Sequence, residues 1–249
     1  MKKLIAFLAF TCLLSFQSIA QEYYEIRNYY FKQGANAKII HEYFSNALIP
    51  ALNRQGIEHV GVFKVMGDPN PTEMVMVIPF KNLQAYIQYQ NILEKDLEYL
   101  KLAKPYFEQV GLSKPLFERI STYFSEAFKG FPHHEIPVKE DSRIYEWRTY
   151  ESYNEDALRR KVKMFDDKEL EIFKNTGLNR AMFSKVLAGE NTPCLSYLIS
   201  FKNMEERDTN WKKFGSDPEW RTLLGIEEYA NSHSRTVRKF LIPVEYSQW

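Results

Sequence analysis

The chain has 249 residues, in which 33 lysines and arginines nearly balance 32 aspartates and glutamates. A chain this close to neutral, with no basic stripe, does not have the charge pattern of a nucleic-acid-binding protein, so we expect no nucleic-acid partner. Its 2 cysteines are Cys12 and Cys194. If Cys12 is removed with the N-terminus, no internal disulfide is possible and the fold must depend on its hydrophobic core.

The N-terminus has the order of a secretory signal peptide at 1–20. Met1–Lys3 is basic, Leu4–Phe16 is apolar, and Ser18 and Ala20 are small residues that precede Gln21. The apolar run is too short to span a bilayer. We predict cleavage after Ala20, export to the periplasm or the medium, and no stable membrane insertion afterwards. An uncleaved N-terminal anchor is the alternative.

The first half of the chain reads as strand, helix, strand, strand, helix, strand. Apolar residues alternate along the predicted strands and recur at helical spacing along the predicted helices. Turns are indicated where Gly and Pro cluster. The predicted elements are a strand at Tyr23–Phe31, a helix at Ala37–Gln55, strands at Ile57–Met66 and Met74–Phe80, a helix at Leu83–Leu102 and a strand at Leu116–Phe124.

The second half repeats this order. Tyr24–Tyr29 (YEIRNY) returns at Tyr145–Tyr150 (YEWRTY), and the same shift of 121 positions carries Phe80–Asn82 onto Phe201–Asn203. A domain-sized internal repeat indicates a duplicated domain. We predict a first repeat at 21–125, a linker at 126–141 and a second repeat at 142–249. The second repeat has predicted strands at Arg143–Tyr150, Leu178–Leu187, Cys194–Phe201 and Thr236–Ile242, and helices at Glu155–Thr176 and from Met204 onward.

This order of elements predicts an α+β fold of two tandem ferredoxin-like domains. Helices would cover one face of each four-stranded sheet and leave the other face without a partner. Because the chain holds two copies, the open faces can pack on each other, which makes the chain an intramolecular pseudo-dimer. Oligomerisation beyond that is left open.

The repeated opening strand resembles that of NIPSNAP-family domains. The second copy also resembles the family at Phe201–Arg207 and at Asp217–Trp220, where the sequence reads DPEW. The resemblance implies the dimeric α/β-barrel fold. It implies no particular activity, since that fold hosts cofactor-free monooxygenases, haem enzymes and small-ligand binders.

One face of the opening strand carries the same three residue types in both copies. These residues are Glu25, Arg27 and Tyr29 in the first copy and Glu146, Arg148 and Tyr150 in the second. Because the opposite face, with Ile26 and Trp147, suits packing under helices, we expect the charged face to point into the barrel. There an arginine could bind a carboxylate through two hydrogen bonds. Alternatively, Glu and Arg pair only with each other.

Three functions are compatible with this sequence. The first is binding of a small organic molecule in the barrel by Arg27, Tyr29, Arg148, Tyr150 and Arg180. The second is a cofactor-independent monooxygenase or isomerase in which the base is Glu25, Glu146 or His59, the residue that the repeat aligns with Arg180. The third is a non-catalytic interaction module with a filled interior.

No cofactor and no metal site are predicted. The chain has no Gly-rich phosphate loop, no H-E-x-x-H motif and no nucleophile elbow. The adjacent His133 and His134 have no further His or Cys near them in the sequence with ligand spacing.

Overall fold

The computed structural model describes residues 20–67, 69–110, 116–137 and 143–249. The predicted signal peptide therefore lies outside the described residues, apart from Ala20, and so do residues 138–141 of the predicted linker. Cleavage and export stay predictions from the sequence. Within the described ranges, no helix is both long enough and apolar enough to cross a membrane.

The first half contains the predicted elements, with changes at the second helix and at the start of the second strand. Its elements are β1 (Tyr23–Phe31), α1 (Ala37–Glu42), a first π segment (Tyr43–Leu48), α2 (Ile49–Arg54), β2 (Gly61–Val65), β3 (Glu73–Phe80), α3 (Leu83–Leu93), α4 (Leu97–Phe107) and β4 (Phe117–Ala127). The single helix predicted at Leu83–Leu102 is divided in two. Asp96 begins α4 by accepting a hydrogen bond of 2.9 Å from the Tyr99 backbone N–H, as a helix N-cap does.

The second half repeats the arrangement. Its elements are β5 (Ile144–Glu151), α5 (Glu155–Met164), a second π segment (Phe165–Glu169), α6 (Leu170–Thr176), β6 (Asn179–Ala188), β7 (Cys194–Phe201), α7 (Met204–Ser216), α8 (Pro218–Leu224), a 3-10 turn (Glu227–Tyr229) and β8 (Arg235–Pro243). The two π segments overlap when the chain is shifted by 121 positions. The same local widening of the first helix thus occurs in both halves.

Eight strands of the described chain close into an antiparallel barrel in the order β1-β3-β2-β8-β5-β7-β6-β4. Each half supplies a four-stranded sheet in the ferredoxin-like order, and the sheets join where β2 pairs with β8 and β4 pairs with β6. The predicted fold is confirmed: an α+β protein of two ferredoxin-like halves that forms an intramolecular pseudo-dimer.

Apolar side chains pack in three places. Each half has a core between its sheet and its helices, which includes Phe44 and Phe80 in the first half and Phe165 and Phe173 in the second. The third core fills part of the barrel interior. Its members include Tyr24, Ile26, Phe63, Val77, Tyr145, Trp147, Leu198 and Leu241 from the two sheets, and Trp249. Both faces of each sheet are therefore buried.

Gly177 offers a test of how the second half is held together. It follows α6 with a φ of 81°, and its carbonyl accepts a hydrogen bond of 2.8 Å from Asn210 Nδ2 of α7. An added Cβ would lie 3.0 Å from that nitrogen. We expect Gly177→Ala to lower the free energy of unfolding by about 1 kcal/mol for the left-handed backbone and by about 1 kcal/mol more for the disturbed hydrogen bond.

Gly56→Ala is the matched control in the first half. Gly56 has a φ of 72°, and an added Cβ would meet no heavy atom of the described residues within 4 Å. Only the backbone cost of about 1 kcal/mol applies there. Urea unfolding of both variants measures the difference, and equal losses would contradict a role for the Asn210 hydrogen bond.

Candidate functional site

The repeated Glu–Arg–Tyr face lies under the helices and not in the barrel. Glu25 Oε2 accepts a hydrogen bond of 2.5 Å from the Tyr89 hydroxyl of α3. Glu146 Oε2 accepts hydrogen bonds of 2.8 Å from Arg207 Nε and Trp211 Nε1 of α7. The prediction that this face lines the barrel is therefore wrong. The helices supply hydrogen-bonding partners for the charges, whereas the barrel interior takes the aromatic face of β1 and β5.

The two glutamates proposed as bases are engaged in these contacts. Arg27 Nε donates to Glu25 Oε1 at 2.6 Å, while Arg148 Nε lies 3.6 Å from Glu146 Oε1 and the Arg148 guanidinium carbon lies 4.2 Å from the centre of the Trp211 ring. The carboxylate oxygens of Glu25 and Glu146 already accept hydrogen bonds from neighbouring side chains. The geometry therefore favours a structural pairing for Glu25 and Arg27, whereas Glu146 takes its hydrogen bonds from Arg207 and Trp211 of α7.

His59 and Arg180 lie apart from the Glu–Arg–Tyr residues of β1 and β5 and do not form one site with them. His59 is exposed and has a φ of 60°, in the segment that precedes β2 and not on the strand itself. The C-terminus packs here, with Trp249 Nε1 donating to the His59 carbonyl at 2.5 Å. This left-handed backbone explains why the strand predicted from Ile57 begins only at Gly61. Arg180 lies on β6, with its guanidinium 5.1 Å from the centre of the Phe131 ring.

A pocket of about 340 Å³ lies between the sheet and the helices of the second half. We call it the second-half pocket. Its lining comes from β5, from the first helix with its π segment, from α7 and α8, and from the segment that leads into β8. The lining residues are Tyr150, Lys161, Met164, Glu169, Phe214, Trp220, Leu224, Tyr229, Ala230, Asn231, Ser232 and His233. Of the predicted site residues, Tyr150 is in this lining.

A buried ion pair forms one wall of the second-half pocket. Lys161 Nζ donates to Glu169 Oε2 at 2.8 Å, and the two side chains are 4% and 2% exposed. The Lys161 ammonium also lies 4.7 Å from the centre of the Phe165 ring and 5.5 Å from that of Tyr150. Burial raises the pKa of Glu169, and the positive charge of Lys161 opposes that rise.

The π segment explains how Lys161 and Glu169 come together. In a regular α-helix with 3.6 residues per turn, side chains separated by these eight positions point in directions about 80° apart. The wider π turn between them reduces this offset, and π turns are frequent at functional sites. The sequence did not indicate this contact, because a regular helical period leaves an offset of about 80° between two residues eight positions apart.

His233 adds a second titratable group to the second-half pocket. Its ring stacks on Tyr150 with 5.2 Å between ring centres. The pKa of His233 is lowered, first by burial and then by the positive charges of Lys161 and Arg148. Burial raises the pKa of Tyr150 to about 12, and its hydroxyl lies 2.8 Å from that of Tyr197. A neutral imidazole can therefore accept a hydrogen bond or a proton beside a buried ammonium group.

The first half has a corresponding pocket with a different lining. This first-half pocket of about 260 Å³ lies between the first sheet and its helices. With the shift of 121 positions, Ile40 stands at the position of Lys161 and Leu48 at that of Glu169. Both residues are buried in the first core. Because the same fold forms with this apolar pair, the charges of the second half are not a requirement of the fold.

We expect His233 to titrate below the ordinary histidine value of about 6.5, because its folded-state pKa is lowered. Its protonation is then easier in the unfolded chain, so stability is lost as the pH falls through 6.5 towards the folded-state pKa. His233→Gln should flatten the stability profile in that range. Proton NMR of the imidazole and urea unfolding across pH test this, and a midpoint at or above 6.5 would contradict it.

Comparison with known proteins identifies the fold first. A provisionally assigned monooxygenase from Fusobacterium nucleatum matches with a TM-score of 0.53 and 11% identity, covering 91% of this chain and 94% of that one. A chlorite dismutase variant from Candidatus Nitrospira defluvii matches with a TM-score of 0.50 and 8% identity, covering 92% and 94%. At such identities the likeness shows the fold alone: the chain is a dimeric α/β-barrel protein with both halves in one polypeptide.

The family follows from the second half. Residues 145–248 match the NIPSNAP family model, so this half is a NIPSNAP domain and the predicted family is confirmed. A NIPSNAP-like domain protein from Burkholderia xenovorans has 18% identity and a TM-score of 0.40, covering 43% of this chain and 90% of that one. No curated protein sequence matches the chain. The whole lining of the second-half pocket falls within the matched residues.

Proposed function

We propose that this protein binds a small organic molecule in the second-half pocket, and not between the two sheets as the sequence suggested. The observation that carries the proposal is the buried Lys161–Glu169 pair beside His233, at positions where the first half has Ile40 and Leu48. Burying an ion pair costs more desolvation free energy than burying two apolar residues. Because the first half forms the same fold without a buried ion pair, the desolvation cost of the Lys161–Glu169 pair supports a role for that pair in binding.

The lining indicates the chemistry of the ligand. Phe214, Trp220 and Leu224 offer apolar and aromatic surface, which suits a flat and largely apolar molecule. Lys161 and His233 offer a donor and an acceptor in the same pocket, with Lys161 Nζ 5.7 Å from the centre of the Trp220 ring. A ligand with an apolar ring and one hydroxyl or carbonyl group, such as a phenol or an enol, matches this lining. The volume of about 340 Å³ lies at the lower end of the range for small-molecule sites.

Phenol and toluene are matched probes for this proposal, because they are similar in size and differ in one polar group. We expect phenol to bind about tenfold more tightly than toluene, because its hydroxyl group can form hydrogen bonds with Lys161 and His233. The double variant Lys161→Ile/Glu169→Leu should remove that preference. Gln90→Ala, in the first-half pocket, is the control and should leave it intact. Calorimetry measures the affinities, and equal affinity of the wild type for both probes would overturn the proposal.

A second candidate is a cofactor-independent enzyme that moves a proton, and the lowered pKa of His233 favours it. The neutral imidazole would take a proton from a carbon next to a carbonyl, and the Lys161 ammonium would stabilise the enolate oxygen. The His233 imidazolium exchanges its proton with solvent and returns a proton to the carbon, so no oxidant is needed. A monooxygenase reaction would require dioxygen as a further reactant.

Phenylacetone in deuterated water tests the proton-transfer candidate. NMR should show exchange of its methylene protons faster than in buffer alone, and His233→Gln should abolish the acceleration while phenylacetone still binds. Binding without accelerated exchange would leave the binding proposal in place and remove the catalytic one. The third hypothesis, a non-catalytic interaction module with a filled interior, is disfavoured because a cavity of about 220 Å³ inside the barrel is far larger than a water molecule.

A further inference from the structure

The barrel interior is filled along part of its length and hollow beyond it. On β1, Tyr24 and Ile26 belong to the interior core. The next two residues on the same face, Asn28 and Tyr30, line a cavity of about 220 Å³. Strands of both halves contribute to this lining, and the turn that joins β6 to β7 closes one side of it. We call it the barrel-mouth cavity. It is separate from the second-half pocket, which lies on the opposite face of the sheet.

Three aromatic side chains form the walls of the barrel-mouth cavity. They are Tyr30, Tyr123 and Trp147, from β1, β4 and β5. Trp147 is held in place by a hydrogen bond of 3.1 Å from its Nε1 to Thr149 Oγ1. The faces of aromatic rings carry partial negative charge and attract cations.

One carboxylate oxygen at this cavity has no donor. Glu151 Oε1 is buried and, among the described residues, it receives no hydrogen bond. The Arg235 guanidinium comes to 3.7 Å from it, which is beyond hydrogen-bond distance, and that arginine side chain is 70% exposed. A buried acceptor without a donor is costly, so a ligand that brings a donor would relieve that cost.

The positively charged side chains at the cavity are less available to a ligand than the Glu151 carboxylate. Lys239 is paired with the buried carboxylate of Glu73, and Arg235 extends into solvent beside Glu151. Burial and then the negative charge of Glu151 raise the pKa of the neighbouring Cys194 thiol to about 12. The cavity is therefore better suited to a cation than to an anion.

We propose that the barrel-mouth cavity binds a small organic ammonium compound with one aromatic ring. The ammonium group donates to Glu151 Oε1, and the ring packs among Tyr30, Tyr123 and Trp147. The cavity volume of about 220 Å³ is below the usual range for drug-sized ligands, which limits the occupant to about one ring. This site uses no residue of the second-half pocket and does not depend on the function proposed there.

Benzylamine, benzyl alcohol and benzoate test the proposal with the full-length protein, because they share a ring and differ in charge. Calorimetry should show benzylamine binding about tenfold more tightly than benzyl alcohol, with benzoate weaker still. Glu151→Gln keeps the shape of the side chain, removes its charge and should weaken benzylamine about tenfold. Absence of benzylamine binding, or equal affinity in wild type and Glu151→Gln, would overturn the proposal.

Two further variants keep the test decisive if Glu151→Gln does not fold. Tyr30→Leu removes one aromatic wall from the other half of the chain and should weaken benzylamine about threefold by loss of the ring–ring packing. Lys161→Ile/Glu169→Leu should leave benzylamine affinity unchanged. If this double variant lost benzylamine binding while Tyr30→Leu kept it, the amine would be bound in the second-half pocket and the barrel-mouth assignment would be wrong.

Discussion

Replacing Lys161 alone by isoleucine should lower the free energy of unfolding by about 3–5 kcal/mol, because Glu169 then remains as an unpaired carboxylate in the interior. The side chain of Glu169 is 2% exposed, and Lys161 Nζ is its partner at 2.8 Å. Burial already raises its pKa, and loss of the ammonium raises it further. Stability is then lost as the pH rises above the unfolded-state value of 4.5 and is regained in acid. Urea unfolding at several pH values measures this dependence.

The double variant Lys161→Ile/Glu169→Leu separates stability from function. It places the Ile40 and Leu48 pair of the first half at the equivalent positions, so no buried charge remains and most of the lost stability should return. The preference for phenol over toluene should nevertheless disappear. If the double variant were as unstable as Lys161→Ile, the ion pair would be needed for folding, and the argument from the asymmetry of the two halves would fail.

Glu146→Ala should have a comparably large effect on stability. Glu146 is fully buried and accepts hydrogen bonds from Arg207 Nε and Trp211 Nε1, both at 2.8 Å. Its removal leaves these two donors without their acceptor and Arg148 without the carboxylate at 3.6 Å. We expect a loss of about 3–5 kcal/mol, the usual range for breaking a buried charged pair. Thermal and urea unfolding measure it.

This variant also tests the role of Glu146 predicted from the sequence. A catalytic base could be replaced with loss of turnover and little change in stability, whereas a carboxylate that ties β5 to α7 could not. Glu146→Gln keeps one acceptor oxygen, so it should cost less stability than Glu146→Ala. Unchanged unfolding of Glu146→Ala would contradict the structural role and favour the catalytic one.

Strand alternation separated the two faces of β1 correctly but did not say which face is inside the barrel. The sequence places Glu25 and Arg27 on one face and Ile26 on the other, and the structure agrees. Both faces are buried, one under helices and one in the barrel. The choice depends on partners far along the chain, such as Tyr89 on α3, and the spacing within one strand holds no information about them.

The second-half pocket was only partly visible in the sequence. Tyr150 was predicted as a binding residue because it belongs to the Glu–Arg–Tyr face that both copies share. Lys161 and Glu169 were missed because the π segment breaks the regular helical period. His233 had no motif around it, and it reaches Tyr150 only through the fold. The substitution of Lys161 and Glu169 for Ile40 and Leu48 between the repeats was the one signal that could have pointed to the pair.

The sequence by itself determined the architecture of this protein. The internal repeat and the apolar periodicities of each copy specify two ferredoxin-like halves, because strand and helix spacings are local properties of the chain. Only the tertiary structure decided which faces meet and where the cavities lie. Those features arise when residues such as Glu151 and Tyr30, or Lys161 and His233, come together from distant positions. Their burial, and with it their electrostatics, exists only after the barrel has closed.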